Sequence, residues 1–276
     1  MPRYDSIIIG TGQAGPSLAH RLAAAGERVA LIERHRFGGT CVNTGCTPTK
    51  TLVASAYAAH LARRAGDFGV SVAGLVTVDM EKVKERKDYV LGFSRRGVER
   101  PLRSNPNITV YQGHARFASA RSVAVGDETL TASKIFINVG GCAFVPEIPG
   151  LDQIQYFTNS TMLDIDFLPP HLIIVGGSYI GLEFAQIYRR FGSEVTVIEL
   201  APRLIPREDE DTSAAVADIL GKEDIALHLG VLKLKVTKRA NDVIVTARSA
   251  HGVNEIVRTH LLMAVGRRPN TDDLGL

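Results

Sequence analysis

A strand, a glycine-rich turn, a helix, a second strand and a terminal carboxylate occur twice in this 276-residue chain, 166 positions apart. The first copy runs from Ser6-Ile7-Ile8-Ile9 through Gly10-Thr11-Gly12-Gln13-Ala14-Gly15 into a helical stretch reaching Ala25. Gly26 stops that helix, and Val29-Ala30-Leu31-Ile32-Glu33 is the second strand. The second copy reads Leu172-Ile173-Ile174-Val175, then Gly176-Gly177-Ser178-Tyr179-Ile180-Gly181, a helix over Leu182 to Phe191, Gly192, and Val195-Thr196-Val197-Ile198-Glu199. Short apolar runs flanking a helical stretch are the mark of a parallel βαβ unit. Gly10 permits the tight turn, Gly12 lets backbone approach a pyrophosphate, and Gly15 lets helix pack on strand. The helix N-terminus then offers free N–H groups and partial positive charge to phosphates. Glu33 and Glu199 stand where a ribose diol would donate to them. Ser178 replaces the middle glycine of the second copy, which tightens the approach without blocking it. A structural glycine turn alone would not need the second strand and the acid. Two complete fingerprints predict two dinucleotides on an α/β fold with two Rossmann-like, three-layer β/β/α domains.

The second constraint is Gly38-Gly39-Thr40-Cys41-Val42-Asn43-Thr44-Gly45-Cys46-Thr47-Pro48-Thr49-Lys50. Two thiols five positions apart can form a reversible disulfide, which a nearby redox cofactor fills or drains with two electrons. Two dinucleotides beside a dithiol predict an electron relay. Three cysteines are too few for a disulfide scaffold, so this pair reads as redox chemistry in a reducing compartment, and a cytoplasmic protein is expected. The N-terminus runs straight into a strand-like segment, so no signal peptide is expected. No apolar run nears the roughly 20 residues of a membrane helix. A net charge of +3 makes no case for nucleic acid. No metal-ligand spacing and no Ser-His-Asp arrangement stands out.

Between the fingerprints, Thr47 to about Arg64 reads as an alanine-rich helix. Asp79 to Arg103 reads as a highly charged helix with a solvated face. Short strands follow at Thr109–Tyr111, Ser122–Val125 and Lys134–Ile137, and Pro146, Pro149 and Gly150 mark a domain boundary. After the second fingerprint come a helix from about Glu208 to Leu220 and strands at Ala226–His228, Leu234–Val236, Val243–Thr246 and His260–Val265. The expected domains are 1–150, 151–266, and a short return segment 267–276. Cys142 is expected to be a small buried residue, and His114 structural or exposed.

In order along the chain, GTGQAG, GGTCVNTGCTPTK, GHARF from Gly113, INVGG from Ile137, GGSYIGLEFA from Gly176 and AVGRRPNT from Ala264 resemble the class I pyridine nucleotide–disulfide oxidoreductases. The wording around the cysteines and after Gly176 is most similar to mercuric-reductase-like members. The resemblance implies FAD and NAD(P)H as cofactors. Gly10, Gly12, Gly15 and Glu33 would bind the ADP half of FAD, and Gly39 and Thr40 its pyrophosphate. The Ala115 backbone would touch the adenine, and Gly140 would lie near the FAD. Cys46 would be the thiol beside the flavin and Cys41 the interchange thiol. Lys50 would sit near flavin N5, paired with Glu183. Gly176, Gly177, Ser178, Tyr179, Ile180, Gly181, Glu199 and Gly266 would bind the nicotinamide nucleotide, with Tyr179 gating its pocket.

Physical chemistry supports these implied roles. A cysteine at a helix N-terminus has a lowered pKa, and Lys50 would stabilise negative charge arriving with a hydride. Glu199 suits the diol of NADH over a 2′-phosphate, while Arg203 and Arg207 lie close enough in sequence to accommodate one, so NADH is favoured. The implied enzyme passes electrons from NAD(P)H through FAD to Cys41–Cys46 and on to a small molecule or ion, either mercuric ion or a dithiol or disulfide. Full-length relatives are homodimers. The family's second FAD motif, its His–Glu acid/base pair and its C-terminal dimerisation domain do not appear in these residues. A shortened piece of such an enzyme, holding FAD weakly and turning over poorly, is therefore expected. The alternatives are an NADH oxidase or transhydrogenase, or a nucleotide-binding module with little turnover.

Overall fold

A computed structural model describes residues 1–239, 242–250 and 252–276. Contacts divide the chain into two compact units: Met1–Pro48, Asp88–Cys142 and Arg267–Leu276 form one, and Thr49–Lys87 with Ala143–Gly266 form the other. This division is not linear in sequence, because Thr49–Lys87 groups with the second unit and Arg267–Leu276 returns to the first.

In chain order the first part comprises β1 (Arg3–Ile9), α1 (Ala14–Ala24), β2 (Val29–Glu33), α2 (Gly39–Thr44), α3 (Cys46–Arg63) and α4 (Met80–Ser104). It continues with β3 (Ile108–Gln112), β4 (Ala115–Ser119), β5 (Ser122–Val125), β6 (Glu128–Ile137) and β7 (Gly141–Ala143). Among the described residues the first unit has a six-stranded sheet ordered β3-β2-β1-β6-β5-β4. β3, β2, β1 and β6 run parallel, and β5 and β4 fold back antiparallel. The period-two alternation of β1 builds three layers. Ile7 and Ile9, with Ile32, pack against Val123, Val125 and Leu130 of the antiparallel ribbon. Ile8, with Val29 and Leu31, packs against Ala19 and Ala23 of α1 and Leu102 of α4. Each such isoleucine or leucine contributes roughly 1.5–3 kcal/mol through burial.

The second unit repeats this plan. It contains β8 (His171–Val175), α5 (Tyr179–Phe191), β9 (Glu194–Ile198), α6 (Glu210–Lys222) and β10 (Ala226–His228). β11 (Val231–Arg239), β12 (Asp242–Ser249), β13 (Gly252–Arg258) and β14 (His260–Met263) follow, before β15 (Arg267–Pro269) pairs with β7. Among the described residues β10-β9-β8-β14 is a parallel sheet and β11-β12-β13 an antiparallel one. Ile173 and Val175 face the antiparallel layer through Val236, Val243 and Val245, while Leu172 and Ile174 face Phe184, Ala185 and Tyr188 of α5. The fold is α/β with two β/β/α nucleotide-binding layouts, as the doubled fingerprint predicts.

Two sequence expectations need correction. The α4 charge run is not wholly solvated. Lys87 is 1% exposed and donates to the Leu163 carbonyl at 2.6 Å, Arg86 donates to the Thr51 carbonyl at 2.9 Å, and Arg95 turns inward as well. Their long stems let the charged heads reach carbonyls and an amide oxygen from a helix whose pattern reads as polar. Cys142 is exposed rather than buried, because it sits on the short edge pair β7–β15. The short α2 helix over Gly39–Thr44 has no side-chain cap at Gly38, so surrounding contacts hold its one and a half turns.

A partly buried ion pair stabilises the second unit. Arg190 grips both Glu223 carboxylate oxygens at 2.8 and 2.6 Å, and the Gln186 amide adds a third bond at 2.8 Å. Burial alone would raise the Glu223 carboxyl, yet Arg190 and Gln186 outweigh it and hold it below its ordinary value of 4.5. A carboxyl depressed in the folded state stabilises above its unfolded value and loses that contribution as pH falls through the folded one. We expect Glu223→Gln to cost about 2 kcal/mol at pH 7. Urea unfolding should show parent and variant converging as the pH is lowered below 4.5; a constant gap would contradict this account.

Candidate functional site

The first fingerprint is a cradle that side chains cannot enter. Gly10 has φ +103°, and a Cβ there would run into the Asn138 carbonyl. A Cβ on Gly15 would meet the Gly10 carbonyl, and one on Gly39 would stand 2.6 Å from the Gly12 Cα. The two glycine-rich segments thus touch backbone to backbone. Thr11, fully buried, donates its N–H and hydroxyl to Glu33 Oε2 at 3.0 and 2.5 Å. The His35 N–H donates to Glu33 Oε1 at 2.8 Å, and Gly38 N–H reaches the Thr11 hydroxyl at 3.2 Å. The Gly113 N–H bonds the Glu33 carbonyl at 2.9 Å, which brings the strand starting at Ala115 beside the same acid. Ala115 itself is buried.

The second fingerprint reproduces these bonds at the same offset. Glu199 Oε2 accepts from Gly177 N–H at 2.5 Å and Oε1 from Ala201 N–H at 2.8 Å. Gly176 has φ +117° and abuts the Ala264 carbonyl, and a Cβ on Gly181 would meet the Gly176 carbonyl. Ser178 caps α5 in an extended conformation. A further equivalence was not legible in the sequence. Asn138 N–H bonds Ile9 O, and Ala264 N–H bonds Val175 O, each at 2.8 Å and just past the end of β6 or β14, and a positive-φ glycine, Gly140 or Gly266, follows two residues on. A carboxylate offers about four lone-pair sites, so both acids keep capacity for a diol. Open cradle, helix N-terminus and acid fit an adenine dinucleotide in each unit.

Beside the first cradle lie the thiols. Cys41 is the third residue of α2 and Cys46 the first of α3. Gly45 joins the helices; a Cβ there would stand 2.9 Å from the Thr40 carbonyl. The Cys41 and Cys46 thiols share a hydrogen bond, and that bond, followed by burial, pushes the Cys41 thiol above its ordinary value. In the second unit Lys50 forms an ion pair with Glu183, and the Tyr179 hydroxyl donates to Glu208. Tyr179 is 54% exposed, whereas Ile180 turns its side chain toward the core.

A family model described as "Pyridine nucleotide-disulphide oxidoreductase" matches residues 4–276. The chain belongs to this family. It is 38% identical over 281 residues to the probable pyridine nucleotide-disulfide oxidoreductase RclA of Escherichia coli K12, covering 99% of this chain and 59% of that protein. It is 35% identical over 278 residues to a mercuric reductase of Streptomyces lividans, covering 99% of this chain and 58% of that protein. The solved structure of the HOCl-induced flavoprotein disulfide reductase RclA from Escherichia coli, in a Cu(II) complex, superposes with a TM-score of 0.84 at 37% identity, over 99% of this chain and 59% of that one. The chain thus spans just under three fifths of these relatives.

Within this family site, three contributors escaped the sequence reading. Thr11 and Asn138 brace the cradle from beneath, the Asn138 amide donating to Gly10 O at 3.3 Å. Arg267 reaches the Thr40 hydroxyl at 3.1 Å and also the Gly141 carbonyl. Only the return of Arg267–Leu276 to the first unit creates that contact. The expectation of a lowered thiol pKa does not hold for Cys41, because its hydrogen bond to the Cys46 thiol and its burial outweigh the Cys46 backbone N–H that favours its thiolate. Among the described residues no group of three or more His, Cys, Asp or Glu could hold a metal ion, and no helix is long and apolar enough to cross a membrane.

Proposed function

We propose that this chain is the dinucleotide-binding and dithiol part of a flavoprotein disulfide oxidoreductase, with FAD on residues 1–150, a nicotinamide dinucleotide on 151–266, and 267–276 closing back on the first domain. The observation that carries this reading is the hydrogen-bonded Cys41–Cys46 pair in the same unit as the Gly10–Gly15 cradle. FAD, when bound, supplies two-electron exchange between a nicotinamide and a dithiol. Gly10, Gly12, Gly15, Gly39 and Gly140 keep the cradle free of side chains, and the α1 N-terminus presents N–H groups to a pyrophosphate. Thr40 and Arg267 flank that position, and Glu33 accepts from the ribose. Lys50, held by Glu183, brings positive charge one helical turn after Cys46 on α3. Gly176 to Gly181, Glu199 and Gly266 do for the nicotinamide nucleotide what the first cradle does for FAD, with Tyr179 at its mouth.

Toward substrate, Cys41 is the attacking sulfur. As thiolate it bonds one sulfur of a substrate disulfide, and the other leaves as a thiol. Cys46 then displaces the substrate from Cys41 and closes the intramolecular disulfide, releasing a second thiol. Two electrons and two protons pass from the pair to the substrate. The substrate class is a disulfide or a thiophilic metal ion. Dithiol chemistry run from a reduced nucleotide belongs in a reducing compartment, and we place the protein in the cytoplasm. A homodimer is the assembly we assign to the whole protein on family resemblance.

Anaerobic titration of the flavin-loaded protein with NADH tests the reading. Two equivalents per chain are expected, one more than flavin alone takes up. A single equivalent would place the protein with oxidase-type flavoproteins instead.

NADH is the expected nucleotide. Glu199 would meet a 2′-phosphate with like charge, and Arg203 is engaged by the carbonyls of Pro206 and Glu208, both at 3.2 Å, and by Glu210 at 2.9 Å. Binding should favour NADH over NADPH by roughly tenfold or more, about 1.4 kcal/mol. Glu199→Ala should narrow the ratio; tighter NADPH binding by the parent would reverse this assignment.

A further inference from the structure

The redox helix α2 is six residues long, and its N-cap Gly38 is left-handed with no side-chain capping bond. Isolated helices that short do not persist in water, so neighbouring contacts hold this one. Asn43, two residues after Cys41, supplies them. Its Nδ2 donates to the carbonyls of Phe37 and Gly39 at 2.9 Å each, and lies 3.3 Å from that of Arg36. One side chain thus ties the turn entering α2 to the last turn of the helix. Its Oδ1 accepts from Arg95 Nε at 2.5 Å. Arginine only donates, so this bond sets which end of the amide faces the carbonyls. Arg95 stands on the first-unit part of the 25-residue α4, which is anchored by buried Leu91 and Leu102.

We infer that Arg95 is a positioning residue for the dithiol: through Asn43 it holds α2 so that the Cys41 sulfur stays against Cys46, raising their effective concentration for disulfide closure. This rests on the proposed redox role of Cys41–Cys46. Neither Arg95 nor Asn43 touches a sulfur in this account; both act through the helix. The reaction read out is Cys41-SH plus Cys46-SH plus oxidised glutathione giving the Cys41–Cys46 disulfide plus two reduced glutathiones. The two electrons and two protons lost by the pair are gained by the glutathione disulfide.

The test equilibrates the full 276-residue chain in glutathione redox buffers and quantifies the intramolecular disulfide by alkylation and mass spectrometry. Loosening α2 lowers the effective concentration, so R95M should reduce the equilibrium constant roughly tenfold. Cys41 alkylation should shift toward lower pH, because the thiol–thiol bond that raises Cys41 weakens. Far-UV circular dichroism reports whether the variant is folded, and alkylation of exposed Cys142, the internal control for reagent and pH, should stay at the parent rate. N43A should lose at least as much as R95M, the R95M/N43A double variant should be no worse than N43A, and R95K should recover part of the R95M loss. A parent-like equilibrium constant in R95M, or additive losses in the double variant, would overturn the inference while leaving the proposed function standing. Should R95M not fold, N43A decides by the same two readouts. A parent chain that forms no Cys41–Cys46 disulfide at any buffer poise would overturn both.

Discussion

Cys46→Ser is expected to abolish the intramolecular disulfide and to lower disulfide-reductase turnover of the flavin-loaded enzyme roughly 10³-fold or more. Serine keeps the size and the α3 N-terminal position but neither stores electrons nor displaces a mixed disulfide from Cys41. After oxidation the parent should keep one titratable thiol, Cys142, of its three cysteines, whereas the variant should keep both Cys41 and Cys142. The surviving Cys41 should also titrate closer to an ordinary thiol, since its hydrogen bond to the Cys46 sulfur is the first cause of its elevation. In the parent, then, the alkylation rate of Cys41 should still climb above pH 9.0, because its thiolate forms late. Unchanged turnover in Cys46→Ser would mean electrons leave without the dithiol, and the relay would have to be abandoned.

Gly10→Ala and Gly176→Ala form the second pair of large effects. The backbone at these positions has φ +103° and +117°, and a methyl group would push into the carbonyl of Asn138 or of Ala264. Strained backbone of this kind costs of order 1–3 kcal/mol, and the collision displaces the strand end that completes each cradle. We expect Gly10→Ala to weaken flavin binding roughly a hundredfold, about 2.7 kcal/mol, with NADH binding nearly intact. Gly176→Ala should do the reverse. Flavin absorbance and NADH titration on each variant measure both affinities. Equal loss of both nucleotides in both variants would show that the cradles do not act separately.

The second pair also explains how much was legible in the residues. Turn geometry is local, so glycine spacing, flanking apolar runs and the acid at the strand end suffice to read a βαβ cradle. The hydrogen bonds of Glu33 and Glu199 recur at the 166-residue offset for the same reason. The partners that fill the space behind each glycine were not legible. Asn138 and Ala264 follow the ends of strands more than 80 residues away, and nothing local marks them. Likewise α4 reads as a polar helix because its charges are counted by sequence; that Lys87 and Arg95 point inward depends on what the chain brings alongside.

By itself, then, the sequence determined the two α/β cradles, their acids, and the two sulfurs available for exchange. Each of these follows from residues within about 25 positions of one another, where backbone geometry and hydrophobic period leave few choices. Tertiary structure decided which proton state the Cys41 sulfur favours and what holds both sulfurs in place. It set Cys41 high by pressing its thiol on Cys46, turned an unpromising glycine–threonine stretch into a helix, and brought Arg95 and Arg267 to it from 52 and 227 residues away. Those outcomes rest on burial and on long-range hydrogen bonds, which exist only once the chain has closed on itself.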